Sequence, residues 1–158
     1  MKKTRYLWIA AILLLDQIVK LAVRKYMAVG QSIPILDGIF HFTYVRNTGA
    51  AFSTFEGMQT FLTLFPLAAL LVAVWYMEKH LNDHGTLLLS MILIISGGVG
   101  NLIDRICLGY VTDLFDFCLI DFPVFNVADI AICTGCFFLV LFIFFFDKEQ
   151  QGEHADEQ

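Results

Sequence analysis

Residues Thr86–Cys107 read TLLLSMILIISGGVGNLIDRIC. The first half carries no charge, while the last seven positions hold Asn101, Asp104 and Arg105. A helix rising 1.5 Å per residue needs about 20 apolar residues to cross a hydrocarbon core of ~30 Å. In lipid the backbone must satisfy its own polar groups, so an apolar run of this length is a helix. The stretch therefore predicts a membrane-spanning helix that is inert at one end and chemically loaded at the other. Tyr6–Val23, Met58–Met77 and Phe125–Phe146 are of the same kind, which makes four spans in one domain covering residues 1–158.

The composition agrees. Of 158 residues, 58% are hydrophobic, 15% aromatic and only 16% charged, with a mean hydropathy of +0.72. Soluble domains carry about 25% charged residues and bury only about two-thirds of the surface their unfolded chain exposes. This composition excludes a soluble enzyme and a disordered chain. The net charge is −5, and the stretch from Asp147 onward holds five acids and one lysine. The acidity thus belongs to the end of the chain, and 148–158 is expected to be a solvated, disordered cytoplasmic tail. No basic patch suits a phosphate backbone, so nucleic acid is not an expected partner.

Lys2, Lys3 and Arg5 before an apolar stretch resemble the start of a secretory signal. No small-residue cleavage site follows; Asp16, Gln17 and Lys20 do, and the apolar pattern resumes to Val23. The segment reads as an uncleaved first helix. Four spans put both termini on one side. Lys2, Lys3, Arg5, Lys79 and Lys148 fall there, against Arg24, Lys25 and Arg46 opposite, which places the termini in the cytoplasm by the positive-inside rule.

Between the first two spans, Asp37-Gly38 separates Ser32–Leu36 from Ile39–Val45. Asp-Gly between such runs signals a hairpin whose turn residues take φ > 0. Phe40, Phe42 and Tyr44 alternate with His41, Thr43 and Val45, putting the aromatics on one face. A small antiparallel sheet on the membrane surface is expected, followed by a short interfacial helix over Ala50–Glu56 with Phe52 and Phe55 dipping into lipid. The fold class is an all-α membrane protein of four transmembrane helices with a small extracytoplasmic β-cradle.

Ionisable residues at mid-helix cost about 2.5–3.5 kcal/mol on insertion scales and so mark function. Here Asp16 and Lys20, then Asn101, Asp104 and Arg105, then Asn126 and Asp129 all fall in one leaflet once the helices are threaded antiparallel. The loop Tyr110–Asp121 opens on the same side. Asp16 and Lys20, four apart, share a helix face and can pair. Asn101 with Asp104, and Asn126 with Asp129, each present an amide and a carboxylate at i, i+3. Part of this set serves as interhelical glue. Two of the acids brought together would share a proton, one ionised to activate water and one protonated to donate. That is hydrolysis by an aspartic dyad, a chemistry that calls for no metal or other cofactor. Spacing leaves Asp104, Asp113, Asp116 and Asp129 all as candidates.

Other features carry less. Gly97, Gly98 and Gly100 permit close helix packing. Cys133 and Cys136 form a C-x-x-C inside an apolar run, where cysteine acts as a small hydrophobe, and Cys107 and Cys118 complete no disulfide framework. His41, His80 and His84 are too dispersed for a zinc site. A proton or ion carrier, or a non-catalytic docking subunit, are the rival classes, although a carrier needs acids throughout the membrane thickness.

Five motifs occur in order: Asp16-Gln17-x-x-Lys20, Asn47-x-Gly49-Ala50-Ala51-Phe52, Asn101-x-x-Asp104-Arg105, Gly109-x-Val111-x-Asp113 and Phe125-Asn126-x-Ala128-Asp129. Together they resemble lipoprotein signal peptidase, or signal peptidase II. The resemblance implies a bacterial aspartic endopeptidase of the cytoplasmic membrane, active near its outer face. It implies removal of signal peptides from diacylglyceryl-modified prolipoproteins by a cut just before the lipidated cysteine. Its partners are then these substrates and membrane lipids, and a monomer is expected. It assigns the catalytic pair to Asp113 and Asp129. Asn47, Gly49, Asn101, Asp104, Arg105 and Asn126 would shape the site, supported by Asp16 and Lys20. Leu114 departs from the Phe common after the first catalytic aspartate.

Overall fold

The computed structural model describes residues 2–49, 55, 57–80, 84–120 and 122–145. Its elements in chain order are α1 (Lys2–Tyr26), β1 (Ser32–Leu36), β2 (Phe40–Asn47), α2 (Gln59–Lys79), α3 (Gly85–Leu108), β3 (Val111–Phe117) and α4 (Val127–Phe145). All four helices are long and apolar enough to cross a membrane, as their sequences predict. Leu7, Trp8, Leu71, Trp75 and Phe144 stay exposed on the bundle's outside, the faces that lipid would cover.

The helix holding Thr86–Cys107, α3, is the central one. In α3, 56% of the most apolar stretch is buried, against 17–22% in the other three, and it packs on α1, α2 and α4. Its glycines make this possible. A Cβ on Gly97 would stand 2.3 Å from the Ala128 carbonyl oxygen of α4, one on Gly98 2.7 Å from Leu70 of α2, and one on Gly100 2.6 Å from Asp16 Oδ2 of α1. Three neighbouring positions thus admit three different helices. Gly135 of α4 returns the contact, since a Cβ there would lie 2.9 Å from the Ser90 carbonyl oxygen.

The core differs between the two ends of the bundle. One end has an apolar cluster of Met77, Leu87, Met91, Ile95 and Phe142, with the ion pair Arg5–Glu78 beside it. The other buries Asp16, Lys20, Asn101, Asp104, Asp113 and Asn126. Above that end lies a three-stranded antiparallel sheet in the order β1-β2-β3. The hairpin forms where expected, with one difference. Gly38 has φ 69°, but Asp37 is not in the left-handed region, and the Ile39 N–H closes the turn on the Leu36 carbonyl at 3.0 Å. Only the second central residue has φ > 0, which is type II rather than type I′ chemistry, and Ile39 joins the turn rather than the strand.

The larger difference is β3. The segment expected to be a loop is the sheet's third strand, pairing Val45 with Asp113 and Asn47 with Val111. One residue more is spent on β2 than on β3 between the Phe42–Phe115 and Val45–Asp113 pairs. This bulge lets Tyr44 sink beside Val23 and Leu114. Leu114 is itself core, 4% exposed, so the departure from Phe falls on a packing position. Of the expected interfacial helix, residues 50–54 and 56 lie outside the described residues, as does the tail from 146. Phe55, with φ 61°, meets Phe61 at 5.5 Å between ring centres, the rings tilted by 49°.

Gly135→Ala overpacks the α3–α4 contact at Ser90 and Ile94, on a face of α4 that does not line the cavity. It is expected to destabilise the protein by about 1–3 kcal/mol, read as a lower melting temperature in detergent, while activity per folded molecule is unchanged.

Candidate active site

The polar end is assembled around a lysine. Lys20 has no solvent exposure, and its Nζ lies 2.9 Å from Asp16 Oδ2, 3.8 Å from Asp104 Oδ2, and donates to Asn101 Oδ1 at 2.8 Å. The i, i+4 pairing expected within α1 is present and extends across to α3. Asp16 Oδ1 in turn accepts the Ala128 N–H of α4 at 2.9 Å. Gln17 Nε2 bonds both Asp16 Oδ2 and the Gly100 carbonyl oxygen. One ion pair therefore ties α1 to both α3 and α4.

Asp104 sets the exit from α3. Gly109, with φ 78°, ends the helix and donates its N–H to the Arg105 carbonyl oxygen. Three residues on, the Thr112 N–H donates to Asp104 Oδ2 at 2.9 Å. Arg24 Nη1 braces both, at 3.3 Å from Asp104 Oδ1 and 2.9 Å from Thr112 Oγ1. The start of β3 is thereby fixed, and Asp113 is the next residue. Gln59 Nε2 of α2 also donates to the Gly109 carbonyl oxygen.

Asn126 is the N-cap of α4. Its Oδ1 accepts the Asp129 N–H at 3.0 Å, while Asp129 Oδ2 accepts the Asn126 N–H at 3.1 Å. This reciprocal pair is a capping box built from asparagine and aspartate. The spacing read as an amide and a carboxylate sharing a face is thus a helix start. With the Ala128 N–H taken by Asp16, the first turn of α4 is held by two acids, Asp16 and Asp129.

Three asparagines then aim at two aspartates. Asn126 Nδ2 donates to Asp113 Oδ1 at 2.6 Å, Asn47 Nδ2 to Asp113 Oδ2 at 2.9 Å, and Asn101 Nδ2 to Asp129 Oδ1 at 2.7 Å. In each case a fixed donor holds the amide oxygen: the Asp129 N–H for Asn126, the Gly49 N–H for Asn47, and Lys20 Nζ for Asn101. An amide has one acceptor end and one donor end. Pinning the acceptor end compels the donor end to face the carboxylate. Arg105 Nη2 adds a bond to the Gly49 carbonyl oxygen at 3.3 Å and lies in electrostatic reach of Asp113, Asp129 and Asp104.

Both aspartates line one cavity of about 700 Å³. Asn47, Asn101 and Arg105 stand with them, while Pro66, Ile130, Ile132 and Cys133 supply apolar wall. Ile130 and Cys133 are exposed on α4, so the cavity opens sideways from the bundle. Burial pushes the Asp113 carboxyl up to about 7, and the neighbouring Asp129 carboxylate pushes the same way; the Asn47 and Asn126 amides and Lys20 pull against them. Asp104 and Asp116, the other acids left open by spacing, point elsewhere. Asp104 is committed to Arg24 and Thr112, and Asp116 Oδ2 accepts from Thr43 Oγ1 at 2.6 Å.

Arg24, Thr112 and Gln17 carry site structure that the sequence reading left unassigned. Arg24 had a detectable signal, since it continues the Asp16, Lys20 spacing by another four residues along one face of α1. The four cysteines are free.

Four membrane-length helices, and a cavity at their polar end with two aspartates bridged by one asparagine, describe a multi-pass membrane enzyme. The comparisons make the class specific. The family model for signal peptidase II matches residues 8–145. A lipoprotein signal peptidase of Microcystis aeruginosa is 45% identical over 90% of this chain and 94% of its own. One of Nostoc punctiforme is 47% identical over 88% and 89%. A solved structure described as a bacterial membrane enzyme, 27% identical, superposes with a TM-score of 0.84 over 89% of this chain and 87% of its own. The chain belongs to the signal peptidase II family and is a membrane peptidase.

Two outcomes follow from the site. Lys20→Met leaves Asp16 buried without its cation and is expected to destabilise the protein by about 3–5 kcal/mol, seen as a large drop in melting temperature. Asp113 holds its proton up to about pH 7 in the native state, against about 3.9 when unfolded. The native state therefore binds more protons between these values, and stability falls as pH rises from about 4 to 7. Asp113→Asn removes that contribution, so its stability relative to wild type should improve from pH 5 to pH 8 in parallel denaturation curves.

Proposed function

We propose that this protein removes signal peptides from diacylglyceryl-modified prolipoproteins, cutting before the lipidated cysteine, by an aspartic mechanism centred on Asp113 and Asp129. The observation that carries the reading is Asn126, which bonds both carboxylates on the wall of one cavity. Asp113, with its raised carboxyl, carries the shared proton near neutral pH and donates it to the substrate carbonyl oxygen or the leaving amine. Asp129, oriented by Asn101 and the Asn126 N–H, takes a proton from the attacking water. This is general acid–base hydrolysis without a covalent intermediate. Arg105, whose guanidinium donates to the Gly49 carbonyl oxygen, fixes the chain just after β2.

The cavity's shape supports the substrate class. Its polar end suits a peptide bond, and its apolar side, reaching the exposed face of α4 at Ile130 and Cys133, suits acyl chains that stay in the bilayer. A cavity of about 700 Å³ falls within the ~300–1,000 Å³ range typical of ligand sites. The sheet faces the extracytoplasmic side in this reading, both termini are cytoplasmic, and the working unit is a monomer in contact with membrane lipids. The apolar cluster of Met77, Leu87, Met91, Ile95 and Phe142 fills the opposite end of the bundle, which disfavours a transmembrane proton relay.

The test is purified protein in detergent with a diacylglyceryl-modified prolipoprotein and a chelator, following signal-peptide release by gel shift. Wild type is expected to cleave, and Asp113→Asn and Asp129→Asn each to lose at least about 100-fold. Wild-type kcat/KM should decline as pH rises through about 7, where Asp113 loses its proton. Appreciable cleavage by either folded variant would refute the dyad.

A further inference from the structure

The tip of the sheet carries a second cluster of reactive side chains. His41 and Asp116 are paired directly across β2 and β3, and Cys118 follows two residues later. A donor atom from each of the three lies within 4.8 Å of the others. A tetrahedral zinc site with bonds of about 2.0–2.3 Å spaces its ligands about 3.3–3.8 Å apart. Side-chain rotation therefore has about 1 Å to close.

The surroundings are ordered as a ligand's are. His41 Nδ1 is held by Ser32 Oγ at 3.0 Å, and its Nε2 is buried without a hydrogen-bond partner. A metal-binding histidine has this division, one ring nitrogen tied to fix the ring and the other left for the metal. Ser32 Oγ also contacts Thr43 Oγ1 at 2.8 Å, and Thr43 donates to Asp116 Oδ2 at 2.6 Å, so one hydroxyl chain orients both His41 and Asp116. The Cys118 N–H donates to the Ile39 carbonyl oxygen at 3.0 Å, which seats Cys118 over the start of β2.

We propose that His41, Asp116 and Cys118 bind one Zn²⁺, with water in the fourth position. A set of one nitrogen, one oxygen and one sulfur suits a borderline-soft ion; calcium and magnesium prefer oxygen throughout. On binding, the Cys118 S–H bond is replaced by a sulfur–zinc bond and the proton passes to solvent, with no change of oxidation state. The ion joins β2 to the turn after β3, where Ile120 and Phe122 border the cavity. Zinc is thus a brace for the cavity's rim, separate from the hydrolytic pair.

The experiment uses the full chain in detergent, stripped of metal and then freed of chelator. Zn²⁺ is titrated against a chromophoric indicator, and Co²⁺ is added separately as a spectroscopic probe. Wild type is expected to take one Zn²⁺ per chain and to give a near-ultraviolet thiolate–Co²⁺ band. Cys118→Ser, at an exposed position, and His41→Gln should each bind Zn²⁺ at least tenfold more weakly. Cys118→Ser should lose the band while keeping its metal-free melting temperature and its basal cleavage. Zinc affinity unchanged in both variants would mean adventitious surface binding and overturn the site. So would the absence of a thiolate band in wild type.

Discussion

A lysine ammonium with no access to water must find its counter-charge inside the protein, and the polar end of this bundle is organised by that requirement. Lys20 gathers Asp16 from its own helix and Asn101 from α3, and Asp16 reaches the first turn of α4. Leaving any of these buried groups unpaired is far more costly than the pair is stabilising. The effect is to fix the relative depth of three helices along the membrane normal. Apolar packing alone, which slides easily among similar side chains, does not specify that depth.

From this register the rest follows by contact. Asn101, held at its oxygen by Lys20, presents its amide to Asp129. Asp129 closes the capping box with Asn126, and Asn126 presents its own amide to Asp113. Charge is kept one bond away from the two aspartates, which are met by neutral amides. A lysine or arginine in direct contact would hold both carboxylates ionised. Amides orient them and leave a proton free to reside on Asp113.

Much of this was legible in the sequence, for a physical reason. Membrane helices announce themselves by length, and polar residues within them are too costly to be incidental, so Asp16, Lys20, Asn101, Asp104, Asn126 and Asp129 stood out at one depth. The strand β3 did not. Val111, Thr112, Asp113 and Leu114 are all buried, so the alternation that reveals a half-exposed strand is missing. Its partner β2 also lies some sixty residues earlier in the chain. The grouping of His41 with Asp116 and Cys118 depends on that same β2–β3 register, and so it was invisible too. The capping box was present as a spacing but read as a shared face, because the start of α4 was placed two residues early, at Phe125.

The order of the elements along the chain has a bearing on biogenesis. Asp16, Asn101 and Asp113 all precede α4, and each bonds a group in the turn at Asn126–Asp129. Until that segment leaves the ribosome and inserts, Asp113 lacks its bridging amide and Asp16 lacks the backbone N–H of Ala128. The arrangement of Asp113 and Asp129 on one cavity therefore comes into being only with the final helix. A half-made chain that ends before that turn leaves Asp16, Asn101 and Asp113 without the groups that orient them.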